Sequence, residues 1–228
     1  MKVTAISDLH GNLIDIEPCD TLLICGDISP LEIQRDYIQM TKWFFNEFQK
    51  WIMNLPCDRV ILTPGNHDFW FEKMITQPQT YLFDKLTILI NGEVNIYSGV
   101  DDKYYKIFGT PYCKDFGCWA YMPGNTILPS VYSIIPKDVD ILICHDSPQV
   151  GYVANIMEHK SETYPNGVPA GNIYLFNEIV EKKPKYVLSG HIHSGDHVLQ
   201  EYAGTKYANV SILDESYSIK YKPLTFEL

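Results

Sequence analysis

Lys2-Val3-Thr4-Ala5-Ile6-Ser7-Asp8-Leu9-His10 decides how this chain is read: an apolar, partly β-branched run breaks off into a carboxylate and an imidazole two residues apart. A strand ends there and a loop begins, and loops at strand ends are where rigid scaffolds carry ligands. If strand geometry persists past Ser7, Asp8 and His10 point to one side of the sheet edge and can share a metal ion. The same punctuation recurs along the chain. Gly26-Asp27 follows Thr21–Cys25, Gly65-Asn66-His67-Asp68 follows Arg59–Thr63, His145 follows Asp140–Cys144, and Gly190-His191-Ile192-His193 follows Tyr186–Ser189. Five of the seven histidines lie in these clusters, which scattered surface histidines would not do.

Further apolar runs stand at Ile88–Ile90 and Lys106–Thr110. Several runs lack polar alternation, so they are expected to be buried on both faces. From Leu31 to Leu55, residues Ile33, Tyr37, Met40, Phe44, Phe48, Trp51, Ile52 and Leu55 recur at helical spacing between Pro30 and Pro56, which predicts one long amphipathic helix. A second helix is expected over Asn172 to Lys182, stopped by Pro184. The tail from Val198 to Phe226 alternates and turns at Ala203-Gly204, so it reads as a hairpin and edge strands. These elements together predict an α/β fold of two packed sheets with helices on the outer faces, in a single domain over residues 1–228. Tyr112 to Pro136 and Asp146 to Gly171 resist assignment and are expected to be functional or partly helical loops.

Eighteen basic and 28 acidic residues give a formal charge of -10, with pI near 5.1 and no basic block. Duplex nucleic acid and anionic membranes are disfavoured as partners, whereas two divalent cations would bring the charge to about -6 and leave a cleft open to small phosphates. The six cysteines contain no CxxC pair and read as buried, reduced thiols. Met1 opens directly into a strand and no run of about 18 apolar residues occurs, so a cytoplasmic location is the expectation. Asn209-Val210-Ser211 matches the glycosylation pattern but reads as the end of a strand. His159 and His197 lack partnering motifs and read as solvated surface residues.

Carboxylates, an amide oxygen and imidazoles, with no thiolate among them, suit Mn, Fe, Zn or Ni better than Ca or Mg, with Mn favoured. Asp27 has two carboxylate oxygens and can bridge two cations. In order, the clusters D-x-H, G-D, G-N-H-D, H and G-H-x-H resemble those of the calcineurin-like metallophosphoesterases, from Asp8 to His193 with no ligand missing. That resemblance implies the two-sheet αββα sandwich of the family. It also implies one ion held by Asp8, His10, Asp27 and His193, and a second held by Asp27, Asn66, His145 and His191. By the same resemblance a hydroxide between the metals is the nucleophile, and His67 contacts the phosphate or protonates the leaving oxygen, oriented by Asp68. The assignment is chemically coherent, because two cations roughly 3.5–4 Å apart acidify a water and steady both ends of an in-line displacement.

Neighbouring residues narrow the branch. Gly26-Asp27-Ile28-Ser29-Pro30 lacks the G-D-x-x-D-R-G of the protein phosphatases. Gly109-Thr110-Pro111-Tyr112, Cys118-Trp119-Ala120-Tyr121, His145-Asp146-Ser147-Pro148, Pro184-Lys185 before Gly190-His191-Ile192-His193, and Asn209-Val210-Ser211 are similar to the small metallophosphoesterase-domain phosphodiesterases related to class III cyclic nucleotide phosphodiesterases. Asp146 departs from the small residue more often found there. The expected function is hydrolysis of a small, nucleotide-like phosphodiester or phosphomonoester, with oligomer formation left open. Phe108, Tyr112, Phe116, Trp119 and Tyr121 can either stack a base or pack on the sheet. The rivals are a nuclease on short single strands, whose rate would fall steeply with salt, and a metal-bearing binding protein without turnover.

Overall fold

The computed structural model describes residues 1–228. In chain order the strands are β1 (Lys2–Ile6), β2 (Thr21–Ile24), β3 (Arg59–Leu62), β4 (Gln79–Leu82), β5 (Leu86–Leu89), β6 (Gly92–Ser98), β7 (Lys103–Thr110), β8 (Ile141–Cys144), β9 (Asn155–Ile156), β10 (Val168–Pro169), β11 (Tyr186–Ser189), β12 (Gln200–Tyr202), β13 (Thr205–Asn209) and β14 (Leu224–Glu227). The helices are α1 (Tyr37–Trp43), α2 (Gln49–Asn54), α3 (Phe69–Met74), α4 (Leu128–Ser133) and α5 (Ile173–Lys182).

Twelve strands form two mixed six-stranded sheets, ordered β14-β1-β2-β3-β5-β4 and β12-β13-β11-β8-β7-β6. In each sheet the four central strands run parallel and both edge strands are antiparallel. Period-2 side-chain direction then sorts the apolar runs. Val3, Ala5, Leu23, Cys25 and Ile61 face Ile107, Ile141, Ile143, Leu188 and Ala208 of the other sheet. Ile6, Leu22, Ile24, Val60 and Leu62 face outward onto Met40, Phe44, Phe48, Trp70 and Phe71, while Leu142, Cys144 and Val187 pack on Leu128, Tyr132, Leu175 and Ile179. The helix–sheet–sheet–helix layering expected from the sequence is what the chain adopts.

The expected helix over Leu31 to Leu55 is shorter and interrupted. It starts at Asp36, whose carboxylate caps the N–H groups of Ile38 and Gln39, and it contains a π-helical segment, Phe44–Phe48, between α1 and α2. The wider turn lets adjacent Trp43 and Phe44 both face the sheet, with Phe44 stacked on Trp70 at 4.6 Å. Asn172 caps α5 as the sequence indicates. β4 and β6 were not expected, whereas α4 makes the Tyr112–Pro136 stretch partly helical, one of the two outcomes expected for it. Asp146–Gly171 contains the short β9–β10 pair and a 3-10 turn at Met157–His159. No helix is long and apolar enough to cross a membrane.

The parallel strands of both sheets end on one side of the molecule. Ser7, just past β1, bridges to Ser211, just past β13, and ties the two sheets together there.

Candidate metal centre

All five clusters converge at this shared strand edge, each on the loop after a parallel strand. Their backbone is not extended. Asp8, His10, Asp27 and His191 have φ of 57°, 42°, 54° and 69°, in the left-handed region that non-glycine residues avoid. The expectation that strand geometry carries Asp8 and His10 to one side therefore fails. Asp8 and His10 converge through left-handed turns, and the GHxH pair splits, with His193 beside Asp8 and His10 while His191 stands beside His145. Such turns cost of order 1–3 kcal/mol each and persist where surrounding contacts over-determine them. Here the His191 N–H donates to both Asp8 oxygens at 3.1 Å.

Two ligand groups share Asp27. On one side Asp8, His10 and His193 stand together, with His193 Nε2 3.4 Å from Asp8 Oδ1 and His10 Nε2 3.7 Å from Asp27 Oδ2. On the other, His145 Nε2 lies 3.2 Å from Asp27 Oδ2 and 2.9 Å from Asn66 Oδ1. Backbone carbonyls set the rings: His145 Nδ1–H donates to Cys25 O at 2.8 Å and His193 Nδ1–H to Asp214 O at 3.0 Å, which leaves each Nε2 lone pair facing inward.

Electrostatics point the same way. Burial raises the carboxyls of Asp8 and Asp27, yet His193 beside the first and His145 beside the second hold both below the carboxylate range. Burial disfavours the imidazolium of His145 and His193, but Asp27 and Asp8 carry these rings up to about 10 and about 9. Two buried carboxylates here demand positive charge, which protons on imidazole or metal ions can supply. His10 favours the metal. Burial takes it down to about 4, and both of its buried ring nitrogens lack a hydrogen-bond partner. A neutral imidazole with an unanswered lone pair is an orphan a cation satisfies. The residues fit the pair of ions.

His67 sits beside the ligands, its ring 4.7 Å from that of His10 and within reach of an ion held by His10 and Asp27. Gln34 Nε2 donates to Leu31 O at 3.0 Å, so Gln34 Oε1 faces His67 and accepts its Nδ1–H at 2.6 Å. His67 Nε2 is left toward the cleft, 3.9 Å from Asp27 Oδ2, with the ring packed on Trp119 at 4.4 Å. Burial lowers its pKa.

Asp68 does not orient His67. Its carboxylate accepts the N–H groups of Asp27 (2.9 Å), Ile28 (3.1 Å), Ser29 (3.0 Å) and Gly65 (2.8 Å) and the hydroxyl of Ser29 (2.6 Å). Adjacency in sequence put Asp68 beside His67, but at Asp68 the chain turns into α3 and the carboxylate swings under the Asp27 loop. Burial and the neighbouring Asp27 push its pKa up to about 6, while five donors hold it as an acceptor.

Gln34 and Cys113 are two residues that sequence reasoning missed. Gln34 sits in the half-turn before α1, where helical periodicity carries no signal about His67. Cys113 places its Sγ within 4.8 Å of ring nitrogens of His145 and His191, a thiol within reach of the second ligand group. Its signal was available, since it follows β7 at the same edge. His197 is not a solvated surface residue: it stacks on Tyr221 at 3.4 Å and meets His193 O at 3.0 Å. Asn209 is buried and binds Val153 O and Ile192 O, pinning the loop that carries His193. Of the aromatic group, Phe108 and Tyr121 are core and Tyr112 packs against it. Phe116 and Trp119 line a cleft of about 590 Å³ together with Tyr217, His67, Asn66 and Asp27.

A family model described as calcineurin-like phosphoesterase matches residues 1–195. Human metallophosphoesterase domain-containing protein 1 is 24% identical over all of this chain and 71% of its own length. The lariat debranching enzyme of Schizosaccharomyces pombe is 27% identical over 85% of this chain and 48% of its own length. Among solved structures, phosphopantetheinyl hydrolase from Mycobacterium tuberculosis superposes with a TM-score of 0.55 at 14% identity, covering 95% of this chain and 90% of that one.

Proposed function

Because the chain belongs to the calcineurin-like phosphoesterase family, we propose that it hydrolyses a small, nucleotide-like phosphodiester or phosphomonoester with two divalent transition-metal ions. One observation carries this reading: Asp27 stands between two ligand groups, and His67, which neither group needs, stands beside them with Nε2 toward the cleft. Asp8, His10, Asp27 and His193 would hold one ion, and Asp27, Asn66, His145 and His191 the other. When bound, such ions supply the charge that acidifies water and neutralises phosphate oxygens.

The chain's own residues do the rest. His67 Nε2 contacts the phosphate or hands its proton to the departing oxygen, and Gln34 holds the ring so that this nitrogen faces the substrate. Burial alone makes His67 a weak base, but the negative charge of an incoming phosphate favours its protonated form. Trp119 packs the other face of the ring and keeps it from turning. Phe116, Trp119 and Tyr217 give the cleft apolar walls that exclude water and offer faces to a base. A volume of about 590 Å³ suits a mononucleotide-sized ligand and is too small for a duplex, in keeping with a charge of -10. The six free cysteines suit the reducing cytoplasm.

The test is a hydrolysis panel with added Mn: bis-p-nitrophenyl phosphate, p-nitrophenyl phosphate, and 2′,3′- and 3′,5′-cyclic nucleotides. Release from at least one is expected, with cyclic or diester substrates ahead of the monoester. No release from any of them refutes the reading.

A further inference from the structure

We propose that Cys113 is a ligand of the second metal position, joining Asp27, Asn66, His145 and His191, and that this position takes a thiophilic ion such as zinc or ferrous iron. The inference rests on the two-metal reading above. Cys113 Sγ and one ring nitrogen each of His145 and His191 lie within 4.8 Å of one another. Three atoms 4.8 Å from one another share a centre about 2.8 Å away, and metal–sulfur and metal–nitrogen bonds are about 2.3 and 2.1 Å. A closure of at most about 0.5–0.7 Å per ligand brings all three onto one ion.

The thiol is otherwise little used. Cys113 is fully buried, and its one hydrogen bond is a weak contact to Pro111 O at 3.4 Å. Its backbone is fixed, with the N–H donating to Tyr121 O at 3.0 Å. Asp146 supplies an independent observation. This carboxylate is 1% exposed; Oδ2 accepts Lys114 N–H and Asn172 Nδ2, both at 2.8 Å, while buried Oδ1 has no partner. Asp146 directly follows the ligand His145, and an unanswered buried carboxylate oxygen there favours positive charge at this end of the centre.

On binding, the S–H bond breaks, the metal–sulfur bond forms and the proton leaves to solvent. A donor set of nitrogen and oxygen alone suits manganese, and a thiolate moves the preference toward zinc and iron.

Full-length protein loaded with Co²⁺ tests the assignment without reference to turnover. With two cobalt ions bound, the wild type should show a thiolate-to-cobalt charge-transfer band in the near ultraviolet. Cys113→Ser should lose it, and Cys118→Ser, at an exposed position outside the ligand groups, should keep it. Two bound cobalt ions with no such band, or a band that survives Cys113→Ser, overturn this assignment and leave the two-metal reading intact. Fewer than two ions bound by the wild type sinks both. Should Cys113→Ser fail to fold, X-ray absorption of the zinc-loaded wild type decides: one sulfur per two zinc ions at about 2.3 Å supports the assignment. A shell of nitrogen and oxygen alone overturns it.

Discussion

Asp68→Asn separates what sequence adjacency implies from what the fold does with this residue. In the structure Asp68 Oδ2 answers the N–H groups of Asp27 and Gly65, and Oδ1 answers those of Ile28 and Ser29 and the Ser29 hydroxyl. Whichever oxygen becomes an amide NH₂, at least two buried backbone donors then face another donor. Each buried donor left unanswered costs about 1–2 kcal/mol, so the loss is about 2–4 kcal/mol. At roughly 2–4 °C per kcal/mol for a chain of this size, Tm falls by about 5–15 °C. The assay is thermal unfolding followed by circular dichroism with chelator present, so that metal binding does not contribute. A variant that melts within about 2 °C of wild type yet turns over slowly would refute the reasoning. That outcome is what an Asp68 devoted to His67 gives.

Gln34→Leu should leave metal content unchanged and lower kcat by up to about 10²-fold, because His67 loses the partner that fixes its ring. The deficit should be larger on an alkyl phosphodiester than on a p-nitrophenyl ester, whose leaving group needs no proton; an equal deficit on both would remove Gln34 from the acid's support. Phe44→Ala should cost about 3–5 kcal/mol in urea unfolding, since Phe44 is fully buried against Phe48, Trp70 and Phe71. A cost under about 1 kcal/mol would mean that the π-helical segment does not anchor the helix to the sheet.

Five of the parallel strands, β1, β2, β3, β8 and β11, were legible because each is a short apolar run that ends at a polar cluster, and burial on both faces removes the ambiguity of alternation. β4 and β6 were not, because edge strands present residues such as Tyr81 and Tyr97 to solvent and lose the apolar signature. That the five clusters come together was legible from their placement after strands, but side-chain direction was not. It depends on left-handed backbone at Asp8, His10, Asp27 and His191, which contacts from distant loops impose and no local propensity announces. His67 and Asp68 show the same limit, since neighbours in sequence leave a turn in different directions. Cys113 reads from sequence as one more buried thiol because cysteine is common in cores, although its place after β7 matches that of the clusters after their strands.

The central claim is that Asp27 joins two metal positions. Anomalous diffraction from crystals grown with Mn or Zn tests it most directly. Two peaks roughly 3.5–4 Å apart are expected, one on either side of the Asp27 carboxylate. A single peak, or a pair of which only one touches Asp27, would contradict it.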